Sequence, residues 1–160
     1  MPDLVALRMA VVTCIADPAA VDAVLDADGA ACFRIAEDEA MLLAAPDGVD
    51  RLLSIATDAT TSVDPYALVV DATDAWAGWR IEGDDARDAF ERLSQIALPD
   101  GGLALGAVAG VPARVVVGRV AIDVFVGAMV GEHVRRRILA DCAALAIGEP
   151  YDDRAWEARR

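Results

Sequence analysis

Asp71 and Asp74 stand three residues apart at the junction of two apolar runs. Two carboxylates at that spacing could share general acid–base work. Aspartates at a chain reversal also bond the backbone N–H groups of their own turn, and that structural role is the expectation here. His133 is the sole histidine, so an imidazole mechanism has one candidate. It has no Ser or Cys nearby in sequence, sits beside Glu132 and an arginine run, and is expected to face solvent. Arg135, Arg136 and Arg137 could hold a phosphate or carboxylate. Three consecutive helical residues spread over about 300° of azimuth, so they make no single patch. Surface ion pairs are the first reading, and a bridge from one arginine to a partner is the second. The glycine run at 100–106 leads into a strand. A phosphate-cradling loop needs a helix N-terminus to supply donors, so no nucleotide site is expected. Cys14, Cys32 and Cys142 show no CxxC or Cys/His spacing and are expected to be reduced, in a cytoplasmic protein. No catalytic, cofactor-binding or metal-ligating residue is assigned to this chain.

Composition sharpens the exclusions. The formal net charge is −13, and every basic residue is Arg. Such a chain repels polyanions, which argues against nucleic acid and acidic membrane surfaces as partners. The apolar fraction is 56%, enough for a real core and for an apolar face turned to a partner. Apolar runs break well short of about 18 residues, and the N-terminal stretch lacks a basic segment followed by an apolar one. Neither a membrane span nor a secretory leader is expected.

The elements that hold these residues follow from periodicity and punctuation. Residues 4–16 read as one buried strand. Asp17 and Pro18 open a helix, with Asp17 as its cap, Val21, Val24 and Leu25 on its apolar face and Gly29 at its end. Two strands at 32–36 and 39–44 flank an acidic turn. Pro46 opens a second helix with Val49, Leu52, Leu53 and Ala56 as its stripe. A polar loop at 57–64 leads to a strand at 66–71. This first half, residues 1–72, is β-α-β-β-α-β, a ferredoxin-like order. The second half, 73–147, reads β-α-β-β-β-α. Its strand at 75–82 places Ala77, Trp79 and Ile81 on one face. Gly83 turns the chain, Asp84 or Asp85 caps a helix, and Ala86, Ala89, Phe90 and Leu93 form its stripe. A hairpin turns at Gly110 and Val111. The strand at 121–129 alternates Ile122, Val124 and Val126 against Asp123 and Phe125, as a half-buried strand does. The last helix, 130–146, carries Val134, Ile138, Cys142 and Leu145. The predicted class is α+β, in two ferredoxin-like halves. The tail 148–160 departs from the core pattern and is either frayed or a docking arm. Its Tyr151 and Trp156 are candidate interface anchors; packing on their own domain is the alternative.

With the elements placed, the central block is distinctive. WRIEGDDARDAFERL, preceded by VVDATDAW, resembles the strand–turn–helix block of the aminomethyltransferase (glycine-cleavage T-protein) superfamily. Those proteins carry an Asp-x-Ser segment, a strand, then a G-x-D-A helix start. Asp71 matches the first aspartate, with Thr73 in place of the serine, and Gly83, Asp85 and Ala86 fall on the glycine and the D-A pair. FRIAEDEAMLLAAP at 33–46, LPDGGLALGAVAGVPARVV at 98–116 and DVFVGAMVGEHVRRRIL at 123–139 look most like the gamma subunit of heterotetrameric sarcosine oxidase. The likeness spans about residues 33–145 and implies a fold similar to the N-terminal part of the folate-binding aminomethyltransferase.

Where T-proteins carry their catalytic aspartate after a V-V-N-A-x-N strand end, this chain reads Val126-Gly127-Ala128-Met129-Val130-Gly131, with neither Asn nor Asp. The K-G-C-Y-x-G-Q motif of relatives that support iron–sulfur enzymes is absent too. The resemblance therefore implies a non-catalytic subunit that holds no cofactor. It implies alpha, beta and delta partner subunits carrying NAD, tetrahydrofolate, FAD, FMN and zinc, in a complex that oxidatively demethylates sarcosine or a related N-methyl amino acid. Tyr151, Trp156, Arg135 and Arg136 are the possible contacts to a partner. Two other readings stay open: a free-standing folate-binding one-carbon transfer protein, and a small ferredoxin-like regulatory module.

Overall fold

The run read as one strand over 4–16 is in fact two, β1 (Asp3–Leu7) and β2 (Ala10–Ile15), and they enter different sheets. The structure, a computed structural model, describes residues 3–142. Arg8, the one charged residue in that run, marks the break. Apolar content alone could not show it, because both strands are buried and their patterns merge. Among the described residues, those up to Arg8 and from Asp74 on form one compact unit, and Met9–Thr73 forms the other.

The Met9–Thr73 unit runs β2, α1 (Pro18–Leu25), β3 (Ala31–Ala36), β4 (Glu39–Ala44), α2 (Val49–Thr60) and β5 (Leu68–Asp71). Its sheet has the order β3-β4-β2-β5 with every pair antiparallel, the ferredoxin-like arrangement read from the sequence. Ala10, Val12 and Cys14 of β2 and Ala40 and Leu42 of β4 pack against Ala20, Val21 and Val24 of α1 and Leu52 and Ala56 of α2. Three local readings change. Asp17 makes no side-chain cap; its carbonyl instead accepts from Ala20 and Val21. Pro46–Gly48 is a 3-10 turn, and α2 starts after it. The helix then continues to Thr60 through part of the expected polar loop. Thr60 is buried, and its hydroxyl donates to the Ala56 carbonyl at 2.9 Å, so a polar residue is satisfied inside the helix's own turn.

The other unit contains β6 (Trp76–Glu82), α3 (Ala86–Glu91), β7 (Gly102–Val108), β8 (Val111–Val117), β9 (Ala121–Gly127) and α4 (Gly131–Asp141). Its sheet is β1-β6-β9-β8-β7, again wholly antiparallel. Leu4, Ile81, Val115, Ile122, Val124 and Val126 meet Ala89 and Phe90 of α3 and Val134 and Ile138 of α4. Asp85 precedes α3 without a side-chain cap bond. The β7–β8 turn falls on Ala109 and Gly110, one residue earlier than expected. Both have positive φ, 52° and 82°, as the hairpin turn whose twist matches its strands requires.

Helix α4 reaches the sheet through a missing side chain. A Cβ on Gly131 would lie 2.5 Å from the Ala77 Cβ of β6. The Gly131 φ of −56° is open to any residue, so the glycine is needed for space and not for its backbone freedom. Gly131→Ala is expected to lose about 1–3 kcal/mol to overpacking, more than Ala's helix preference of up to ~1 kcal/mol returns. Urea unfolding of Gly131→Ala, Ala77→Gly and the double variant checks it. The double variant should lose less than the sum of the singles, because the second change removes the clash.

Candidate functional site

Alternation along the five-stranded sheet sorts its residues onto two faces. Ala77, Trp79 and Ile81 face the helices with Val124 and Val126. The other phase carries Trp76 and Arg80 of β6, Asp123 and Phe125 of β9, and Arg114 and Val116 of β8. Arg80 and Asp123 are register partners on neighbouring strands. The Arg80 Nε donates to Asp123 Oδ1 at 2.8 Å and its Nη2 to Oδ2 at 3.2 Å. Both residues are only 2% exposed. Val5 on β1 flanks Arg80, Val116 on β8 flanks Asp123, and both are buried. One row across the sheet thus reads apolar, cation, anion, apolar. On the same face, the guanidinium of Arg114, two residues before Val116 on β8, lies 4.3 Å from the centroid of the Trp76 ring of β6, a cation–π contact. The chemistry of this face is positional. Each charge meets its complement, which fixes strand register and offers no free acid, base or nucleophile at the ion pair.

Sequence reasoning missed this pair. It set Asp123 on the outer face of a half-buried strand, whereas β9 is buried on both faces from Ile122 to Val126. The burial is possible because Arg80 neutralises the carboxylate directly across the ladder. The available signal was one charge of each sign at in-phase positions of two otherwise apolar strands.

The groups singled out for chemistry are otherwise engaged. Asp71 accepts from the Thr73 N–H at 2.9 Å, and its bonds with Thr73 hold its carboxyl below the usual range. Thr73 Oγ1 in turn accepts from the Val11 N–H at 3.1 Å. Asp71 therefore closes a turn against β2, as expected of an aspartate at that junction. Asp74 and His133 are exposed. Arg135 binds Glu132 through Nε at 2.8 Å and Nη2 at 3.0 Å, and Arg136 Nε binds the same carboxylate at 2.8 Å. These bonds pull the exposed Glu132 carboxyl down to about 2. Arg137 pairs with Asp141 at 2.8 Å. The arginine run thus makes ion pairs with acidic neighbours along α4. Burial raises all three thiols, Cys32 to about 11, so each is held as the weakly nucleophilic thiol at neutral pH. Among the described residues no group of three or more His, Cys, Asp or Glu could hold a metal ion. No described helix is long and apolar enough to cross a membrane. Tyr151 and Trp156 lie outside the described residues.

No family model matches the sequence, and no curated protein matches it. Solved structures do. A chain of heterotetrameric sarcosine oxidase from Corynebacterium sp. U-96, in complex with pyrrole 2-carboxylate, superposes with a TM-score of 0.74 at 15% identity, over 93% of this chain and 87% of that one. Glycine cleavage system aminomethyltransferase T from Bartonella henselae superposes with a TM-score of 0.63 at 11% identity, over 94% of this chain and 47% of that one. The chain therefore spans about half the length of the aminomethyltransferase. At these identities the likeness is one of fold: the protein shares the α+β architecture found in both.

Two measurements test the site. Asp123→Asn strands a buried guanidinium and should cost about 3–5 kcal/mol in urea unfolding, whereas the double change Arg80→Met with Asp123→Leu should recover most of it. A single-variant loss below ~1 kcal/mol would show that the pair does not anchor the sheet. Cys32 alkylation, followed by peptide mass spectrometry, should accelerate about tenfold per pH unit from pH 7 to 9.5, because only the thiolate reacts. A plateau below pH 9 would contradict the raised thiol.

Proposed function

We propose that this chain is a non-catalytic, gamma-type structural subunit of a heterotetrameric sarcosine oxidase-like flavoenzyme complex, packing against the large alpha subunit. The observation that carries the reading is near-complete mutual coverage, 93% and 87%, with one chain of a heterotetrameric sarcosine oxidase. The matched chain is close to this one in size, whereas the aminomethyltransferase is about twice as long. The state of the reactive groups supports the same reading. Burial raises the thiols, Asp71 is tied into a turn, and the best-buried charges neutralise each other. A subunit with these features contributes shape. Burying about 800 Å² per partner would suffice to hold it in a stable assembly.

In this reading FAD, FMN, NAD, tetrahydrofolate and zinc belong to the partner subunits, and the complex oxidatively demethylates sarcosine or a related N-methyl amino acid. Arg136, whose side chain is 75% exposed on α4, Arg135 beside it, and Tyr151 and Trp156 on the tail are the proposed contacts. The superposition on aminomethyltransferase T favours a second reading: a free-standing folate-binding protein of one-carbon transfer.

One co-expression experiment separates the two. The chain, made together with flavin-bearing and NAD-bearing subunits of a sarcosine oxidase-type complex, should co-purify with them through size exclusion. Tetrahydrofolate titrated into the isolated chain should leave Trp fluorescence unchanged. Saturable quenching at micromolar ligand, with no co-purification, favours the folate reading and refutes the subunit role.

A further inference from the structure

The charge of this protein is unevenly placed. Residues 9–73 hold twelve carboxylates and two arginines, so that unit carries −10 of the chain's −13. The same unit holds five of the eight large apolar side chains that are exposed: Ile15, Val63, Tyr66, Leu68 and Val70. They gather at one corner. Ile15 and Leu68 are register partners on β2 and β5, and Thr13 is paired with Val70. Their phase is opposite to Val12 and Cys14, which pack on the helices. Asp64 ties the corner together, accepting from the Asp17 N–H through Oδ2 and from the Tyr66 N–H through Oδ1, both at 2.9 Å.

The strand beneath this corner, β5, is an edge. Among the described residues it pairs with β2 alone. The Ala72 N–H donates to the Val11 carbonyl, so residues in phase with Ala72, namely Val70 and Leu68, direct their backbone groups to β2. Val69 and Asp71 then turn theirs to the open side. Edge strands are usually protected by a bulge, an inward charge or a proline within the strand. β5 has neither a bulge nor a proline over Leu68–Asp71, and its one charge, Asp71, stands at the strand's end and accepts from the Thr73 N–H. Its Leu68–Val70 stretch is apolar, with Asp71 at its end, Asp64 and Asp17 joined at the adjoining corner, and no basic residue between positions 52 and 79.

We propose that the open edge of β5 accepts an extended segment of a partner polypeptide in which basic and apolar residues alternate. Backbone pairing with Val69 and Asp71 supplies the ladder. Leu68, Val70 and Ile15 take the segment's apolar side chains, and the surrounding carboxylates take its cations. A second copy of this chain is a poor occupant, because two surfaces of the same strong negative charge would meet. The inference goes beyond the subunit reading and does not need it: it specifies the chemistry of the segment, whichever protein carries it.

The probe is a blocked hexapeptide of alternating Arg and Val, titrated into the full 15N-labelled chain, with an alternating Asp–Val hexapeptide as control. The Arg–Val peptide should shift the amides of Leu68 to Asp71 and slow hydrogen exchange at Val69 and Asp71, and the control should do neither. Val69→Pro removes an outward donor without touching the β2 ladder and should weaken binding at least about tenfold. If that variant does not fold, Leu68→Lys with Val70→Lys keeps the edge, removes the apolar contacts, offsets part of the local negative charge, and should weaken binding similarly. Equal binding of both peptides, shifts centred elsewhere, no binding at millimolar peptide, or undiminished affinity in the variants overturns the proposal. Self-association of the chain through β5 overturns it in favour of a second copy.

Discussion

An arginine and an aspartate in bidentate contact, both nearly sealed from solvent, permit one alignment of β6 on β9. A slip of one residue would turn either Arg80 or Asp123 onto the face that meets α3 and α4 and leave the other without its partner, so that both charges lose their compensation. Much else hangs from those two strands. β1 joins the sheet through β6, and β8 and β7 join through β9. Helix α4 follows β9 after one 3-10 turn, Ala128–Val130, and seats its Gly131 on Ala77 of β6. The ion pair costs desolvation and does not by itself explain stability. What it contributes is register: slipped alignments of the same apolar strands become far less favourable.

The charges elsewhere follow a similar logic of engagement. Glu132 serves two arginines, Asp71 closes a turn, and Asp64 organises a surface corner through backbone N–H groups. The thiols are held protonated by burial. The surfaces of the two units differ. The Met9–Thr73 unit is strongly acidic with an open apolar edge. The other unit is closer to charge balance, with Arg135, Arg136 and Arg137 in ion pairs on α4 and Arg114 stacked on Trp76.

Much of the ferredoxin-like half was legible in the residues. Val49, Leu52, Leu53 and Ala56 repeat at helical spacing, and all pack on the sheet. Ala77, Trp79 and Ile81 share a strand face as their alternation requires. Asp71 could be read as a turn residue because its short side chain reaches the N–H two positions on, a local event. Caps were less legible. Asp17 and Asp85 hold the right positions and make no cap bond, since the choice of partner for a short polar side chain depends on neighbours that sequence does not place.

Periodicity, turn chemistry and charge count are local or additive quantities, so the chain alone determined the α+β class, the helix stripes and the acidity. The division of the first apolar run between two sheets, the meeting of Arg80 with Asp123 across 43 positions, and the exposure of β5 at an edge belong to tertiary structure. Each depends on which strands become neighbours. That choice is made by the summed packing of many residues far apart in the chain, and no single segment encodes it.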